Sequence, residues 1–160
     1  MPPYDLVGSL RKEHIFLGVD AADKDRLLEA IAGLVAEHHP SFAVDVVLRK
    51  LQDREKVMST GIGNRIAVPH VTLDDLDLSR CFLFVLGREV DFQAIDGRPV
   101  RVVFLLVVRP DDIAFHLQGL ATIARLARHP GLADEICRSA TREEVLERLL
   151  EREPSAAGKK

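Results

Sequence analysis

The sequence predicts an α/β protein built as a three-layer α/β/α sandwich, and three observations predict it. Two unbroken apolar runs, CFLFVLG at 81–87 and VRVVFLLVV at 100–108, have the character of strands covered on both faces. On either side of them lie stretches whose apolar residues recur at helical spacing. Strands and helices interleave along the chain, as one strand, two helices, three strands and three helices. A sheet fed by such a chain needs helices on both faces to cover it.

The elements follow in order. HIFLGV at 14–19 reads as the first strand. Leu27, Leu28, Ile31, Leu34 and Val35 then fall on one helical face, and Pro40 stops that helix. Val44, Val47, Leu48 and Leu51 repeat at helical intervals, which predicts a second helix over 43–54 with Arg54 and Glu55 at its end. A glycine-containing loop leads from there into the short strand IAVPH, and IDGRP marks the turn before the second long apolar run. From Asp112 the pattern is helical again, with Leu117, Leu120, Ala121 and Ala124 lining the expected buried face up to HPG at 129–131. A short helix carrying Leu132 and Ile136 follows. Thr141 and Glu144, at capping-box spacing, open a last helix expected to bury Val145, Leu146, Leu149 and Leu150. Residues 1–151 are expected to form a single domain and 152–160 a disordered polar tail.

Composition excludes several function classes. The chain has 160 residues, enough for one sizeable core, and its 22 Lys+Arg against 25 Asp+Glu leave no basic footprint for nucleic acid. The N-terminus lacks the pattern of a secretory signal, and RVVFLLVVRP is too short to span a bilayer, so a soluble, cytoplasmic protein is expected. Cys81 and Cys137 sit in apolar runs and read as small hydrophobes kept reduced, with no disulfide framework. The six histidines lack ligand spacing, and the adjacent His38 and His39 point apart on a helix, so no metal site and no cofactor is expected.

The stretch STGIGNRIAVPH, residues 59–70, carries the chemistry. No Gly-Lys-Ser/Thr closes it as a P-loop, and Ile66 stands where a dinucleotide fingerprint needs its third glycine. No Gly-x-Ser-x-Gly elbow is present either. What remains is the imidazole of His70, a nucleophile towards phosphorus whose ordinary pKa is about 6.5. A phosphoryl group passing to nitrogen needs donors and a cation. The segment offers backbone amides around Gly61 and Gly63, the hydroxyls of Ser59 and Thr60, and the guanidinium of Arg54. Pro69 fixes the backbone immediately before His70. A solvated ion pair with Asp53 or Glu55 is the plainer role for Arg54.

REKVMSTGIGNRIAVPH resembles the active-site signature of the fructose/mannitol-type (type 2) enzyme IIA domains of the bacterial phosphoenolpyruvate-dependent sugar phosphotransferase system, including their stand-alone nitrogen-regulatory relatives. VDFQAIDGRPVRVVFLLVVRP and HLQGLATIARL look like that family's turn, central strand and following helix, so the resemblance spans nearly the whole chain. It implies a mixed sheet within the α/β/α sandwich. It also implies His70 as the phosphorylated histidine, His116 as a second histidine at the site, and Arg54 as the arginine before the loop. The partners implied are a histidine-containing phosphocarrier protein and either a IIB domain or a regulatory target, with a membrane reached only through a permease. The absence of attached permease segments favours a stand-alone, regulatory form. Two positions depart from the pattern: Arg65 replaces a common glycine, and Val71 replaces the small residue after the histidine. They keep open an alternative in which the fold serves as an interaction module that takes no phosphate, with Arg65 altering docking or phosphate affinity and Val71 crowding the imidazole.

Overall fold

The computed structural model describes residues 5–39 and 42–153; Pro40, expected to end the first long helix, and the tail from 154 onward lie outside the described residues. A short helix α1 (Leu6–Ser9) and a 3-10 turn (Lys12–His14) lead into β1 (Ile15–Val19). Then come α2 (Lys24–His38), α3 (Val44–Val57), β2 (Gly61–Gly63), β3 (Ile66–Ala67), β4 (His70–Thr72), β5 (Arg80–Val90) and β6 (Val100–Val108). Helices α4 (Ile113–Ala127), α5 (Leu132–Cys137) and α6 (Arg142–Arg152) complete the chain.

The sheet is mixed. Strand β5 runs parallel to β1 and antiparallel to β6, and β6 is parallel to both β3 and β4 on its other side. Each face carries its own core. Alternate residues of β5 and β6 such as Phe82, Phe84, Val103 and Leu105 pack under α2 and α3, while Leu83, Val102, Phe104 and Leu106 pack under α1, α4, α5 and α6. Two covered faces explain why β5 and β6 are apolar without alternation. The sandwich expected from the sequence is therefore present, and so is its mixed sheet.

Side-chain caps fix several helix starts. Asp23 accepts from the Arg26 amide at 2.8 Å and Asp112 from the Phe115 amide at 3.3 Å. At α6 the Thr141 hydroxyl accepts from the Glu144 amide at 3.2 Å, while the Glu144 carboxylate accepts from the Ala140 amide at 2.8 Å. The final helix runs through Arg152, one residue into the expected tail, and Arg125 holds Glu153 just beyond it at 2.7 Å.

Helix α4 corrects the sequence reading. Its buried residues are Phe115, Gly119, Thr122, Ile123, Leu126 and Ala127, whereas Leu117 is 62% exposed and Ala121 and Ala124 face solvent. The helix is apolar on two sides, so period alone cannot choose between them. The sheet takes the side with the larger side chains, and Gly119 lets the helix approach closely: a Cβ there would lie 3.2 Å from the Leu106 methyl. In α6, likewise, Val145 and Leu149 are buried but Leu150 is 38% exposed. Cys81 is buried, and burial pushes its thiol up to about 12; Cys137 is half-buried.

Candidate functional site

The expected strand IAVPH is interrupted. Ile66 and Ala67 pair with Val102 and Val103, and His70 to Thr72 resume the ladder opposite Leu106 to Val108. Pro69 lacks an amide proton but still contributes its carbonyl, which accepts from the Leu106 amide at 3.1 Å. Among the described residues β4 pairs only with β6, which leaves His70 at the sheet's edge between the two helical layers.

Each layer supplies one side chain. Helix α3 continues to Val57, a turn further than expected, because no glycine or proline intervenes before Gly61. Arg54 thus lies in its last turn, where a cation is favoured by the helix dipole. Its Nε–H donates to Nε2 of His70 at 3.2 Å, and Nη1 donates to the Met58 carbonyl at 2.9 Å. The carboxylates that could have held it in a surface pair are engaged elsewhere, Asp53 with Lys56 and Glu55 with Lys24. From the other layer, α4 brings His116 in its first turn; its ring centroid is 5.0 Å from that of His70, with the planes inclined at 47°. Nε2 of His116 is buried and has no hydrogen-bond partner among the described residues.

The tautomer of His70 follows from these contacts. A guanidinium can only donate, so Nε2 must carry a lone pair. The proton of the neutral ring then sits on Nδ1 and points to the Val68 carbonyl at 3.4 Å. Burial is the largest influence on this imidazole and lowers its pKa; Arg54 and His116 lower it further, against raising contributions from the Val68 carbonyl and Glu55. The ring accepting at Nε2 is the neutral Nδ1–H tautomer, and burial favours that uncharged form.

Of the four loop residues named with His70, the two hydroxyls bond within the protein. Thr60 is buried, and its hydroxyl donates to Glu55 at 2.5 Å while its amide donates to the same carboxylate at 3.1 Å. Ser59 donates to the Phe92 carbonyl at 2.5 Å and accepts from the Gly61 amide at 3.1 Å. A hydroxyl has one proton to give, and in both residues it is already given. Gly61 is needed because a Cβ would lie 2.7 Å from that of Ala94, and Gly63 because its φ is 103°. These residues shape the loop.

The two departures from the family pattern also lie away from His70. Arg65 and Asn64 form the two-residue turn between β2 and β3, both with positive φ, the geometry of a type I′ turn in which glycine is the usual second residue. The Arg65 guanidinium binds Glu89 at 2.7 Å and Asp134 at 3.3 Å. Val71 is buried in the core under α2 and α3, on the opposite face of the strand from its neighbour His70, so it does not crowd the imidazole.

An edge-strand histidine thus stands between an arginine from one helical layer and a histidine from the other, on a mixed sheet covered by helices on both faces. Residues 9–152 match the family described as phosphoenolpyruvate-dependent sugar phosphotransferase system, EIIA 2, and the chain belongs to that family. Among its relatives is a nitrogen regulatory protein of Pseudomonas aeruginosa, 37% identical over 134 residues, which cover 84% of this chain and 86% of that one. The crystal structure of nitrogen regulatory protein IIA-Ntr from Neisseria meningitidis superposes with a TM-score of 0.81 at 29% identity, covering 89% of this chain and 97% of that one. The mannitol enzyme IIA of Escherichia coli, solved in complex with phosphorylated enzyme IIB, shares the fold with a TM-score of 0.70 at 23% identity, over 90% and 99% of the two chains. Among the described residues no helix is long and apolar enough to cross a membrane.

Proposed function

We propose that the protein is a phosphohistidine carrier whose acceptor is Nε2 of His70. One observation carries this reading: a neutral imidazole presents a lone pair at Nε2 directly against the Arg54 guanidinium. The donor is the phosphohistidine of a histidine-containing phosphocarrier protein. As the His70 Nε2 lone pair forms the new N–P bond, the donor's N–P bond breaks and its electron pair leaves with the donor's ring nitrogen. Arg54 releases Nε2 and turns its fork to the phosphoryl oxygens, whose charge it matches better than a lone pair. The Nδ1 proton stays on the ring, and the Val68 carbonyl stabilises the positive charge that the imidazole gains. His116 Nε2, which has no hydrogen-bond partner among the described residues, then bonds the phosphoryl group.

The phosphoryl group then passes to a IIB domain or marks a regulatory state, and the names of the nitrogen regulatory relatives favour the regulatory use. Such a protein works in the cytoplasm and meets a membrane only through a permease. The alternative of an interaction module without phosphate rested on Arg65 and Val71, and both are occupied away from His70. The test is incubation with phosphoenolpyruvate and the general phosphotransferase proteins, followed by intact mass. A single acid-labile phosphoryl adduct, lost in His70→Ala with the fold retained, is expected; an adduct that persists in that variant or maps to His116 overturns the assignment.

A further inference from the structure

Behind the His70 site lies a second polar cluster that no step above uses. Glu55, next to Arg54 on α3, has a side chain only 5% exposed, and it pairs with Lys24 of α2 at 2.9 Å. The three protons of the Lys24 ammonium have three acceptors: Glu55 at 2.9 Å, the Phe92 carbonyl at 3.3 Å and Gln93 Oε1 at 3.2 Å. The same ammonium stands 4.4 Å from the centre of the Phe92 ring. Glu55 in turn takes both the amide and the hydroxyl of Thr60, and Ser59 is tied to the same Phe92 carbonyl that Lys24 holds.

Burying an ion pair contributes little net stability compared with apolar side chains of the same shape, so the value of this pair lies in what it locates. It locates residues 58–60, which are grasped from two sides. Glu55 holds Thr60, and Arg54 donates to the carbonyl of Met58 while reaching His70 with its Nε–H. The guanidinium therefore has two fixed points, the His70 nitrogen and the Met58 carbonyl, and the second is only as fixed as the segment that carries it.

We propose that Lys24, Glu55 and Thr60 are positioning residues for phosphoryl transfer: they fix residues 58–60 so that the Met58 carbonyl holds the Arg54 fork in line with Nε2 of His70. The inference rests on the reading of His70 as acceptor. The three residues act through Arg54 and not on the phosphoryl group.

The test uses Glu55→Gln, Thr60→Val and Lys24→Met, with Lys24→Arg as the conservative replacement. Thr60→Val removes a single hydroxyl and keeps the test open should Glu55→Gln fail to fold. Two quantities are read: the rate of His70 phosphorylation at saturating phosphocarrier, and the Arg54 Nε–H resonance in the unphosphorylated protein. The variants are expected to slow transfer by about three- to tenfold, the size of one or two lost hydrogen bonds. The Arg54 resonance should move towards that of an unbound arginine, and Lys24→Arg should recover both. Folded Thr60→Val and Lys24→Met proteins with the wild-type resonance and wild-type rate overturn the proposal. If the wild-type protein takes no phosphate on His70, the carrier reading fails, and the Arg54 resonance still decides whether this cluster positions the guanidinium.

Discussion

Arg54 Nε and His70 Nε2 meet at 3.2 Å although they belong to different layers of the fold, one in the last turn of α3 and the other on an edge strand. The contact leaves the ring's lone pair on Nε2 and sets the Arg54 guanidinium directly against it. It also makes Arg54 sensitive to shape as well as to charge. Arg54→Lys retains a cation but loses the planar fork that serves Nε2 and Met58 together, so phosphorylation should slow by about tenfold or more with melting nearly unchanged. Stopped or quenched transfer time courses check this; equal rates would return Arg54 to a structural role.

His116 is expected to matter more for holding the phosphoryl group than for receiving it. In His116→Ala the initial phosphorylation of His70 should change less than onward transfer to a IIB domain. The same substitution removes one influence that lowers the His70 pKa and thins the burial that lowers it most, so His70 should titrate at higher pH. Ring-proton titrations by NMR give the answer: superimposable His70 curves together with normal onward transfer would make His116 structural.

Stability should depend on pH with a definite sign. His70 and His14 both have pKa values lowered in the fold, chiefly by burial. Below about pH 6.5 the unfolded chain therefore binds protons that the folded one does not, and stability falls as pH drops from that value through the lower folded pKa values. Thermal melts between pH 8 and pH 5 should show this loss, and His70→Asn should reduce its slope. A slope unchanged in that variant would mean that His70 titrates as in the unfolded chain.

Gly61→Ala probes the loop itself. The added methyl would fall 2.7 Å from the Ala94 Cβ and 2.8 Å from its Cα, so backbone must move. A loss of about 1–3 kcal/mol is expected, measured by denaturant unfolding. A neutral effect would mean that the 91–97 connection can step back from the loop at no cost.

The long apolar strands and the face of α2 could be read from the sequence because burial dictates composition there. The β2–β3 hairpin could not: each strand is only two or three residues long, and its turn places Arg65 where the usual signal is glycine. Nor could α1, a single turn of helix. At the site, the identity of His70, Arg54 and His116 came from the motif and its resemblance, but the partners of Ser59 and Thr60 were hidden. A hydroxyl beside a glycine loop looks the same in sequence whether it binds an anion or a carbonyl, and only the approach of Phe92 and Glu55 decides.

Leu106 stands directly opposite His70 in the sheet, and its methyl group marks how near α4 can come at Gly119, three residues beyond His116. The gap between the two imidazoles is therefore gauged by an aliphatic spacer that has no chemistry of its own. A methyl added at residue 119 would act as a shim, pushing the helix and its histidine outward by a few tenths of an ångström while His70 and Arg54 stayed in place.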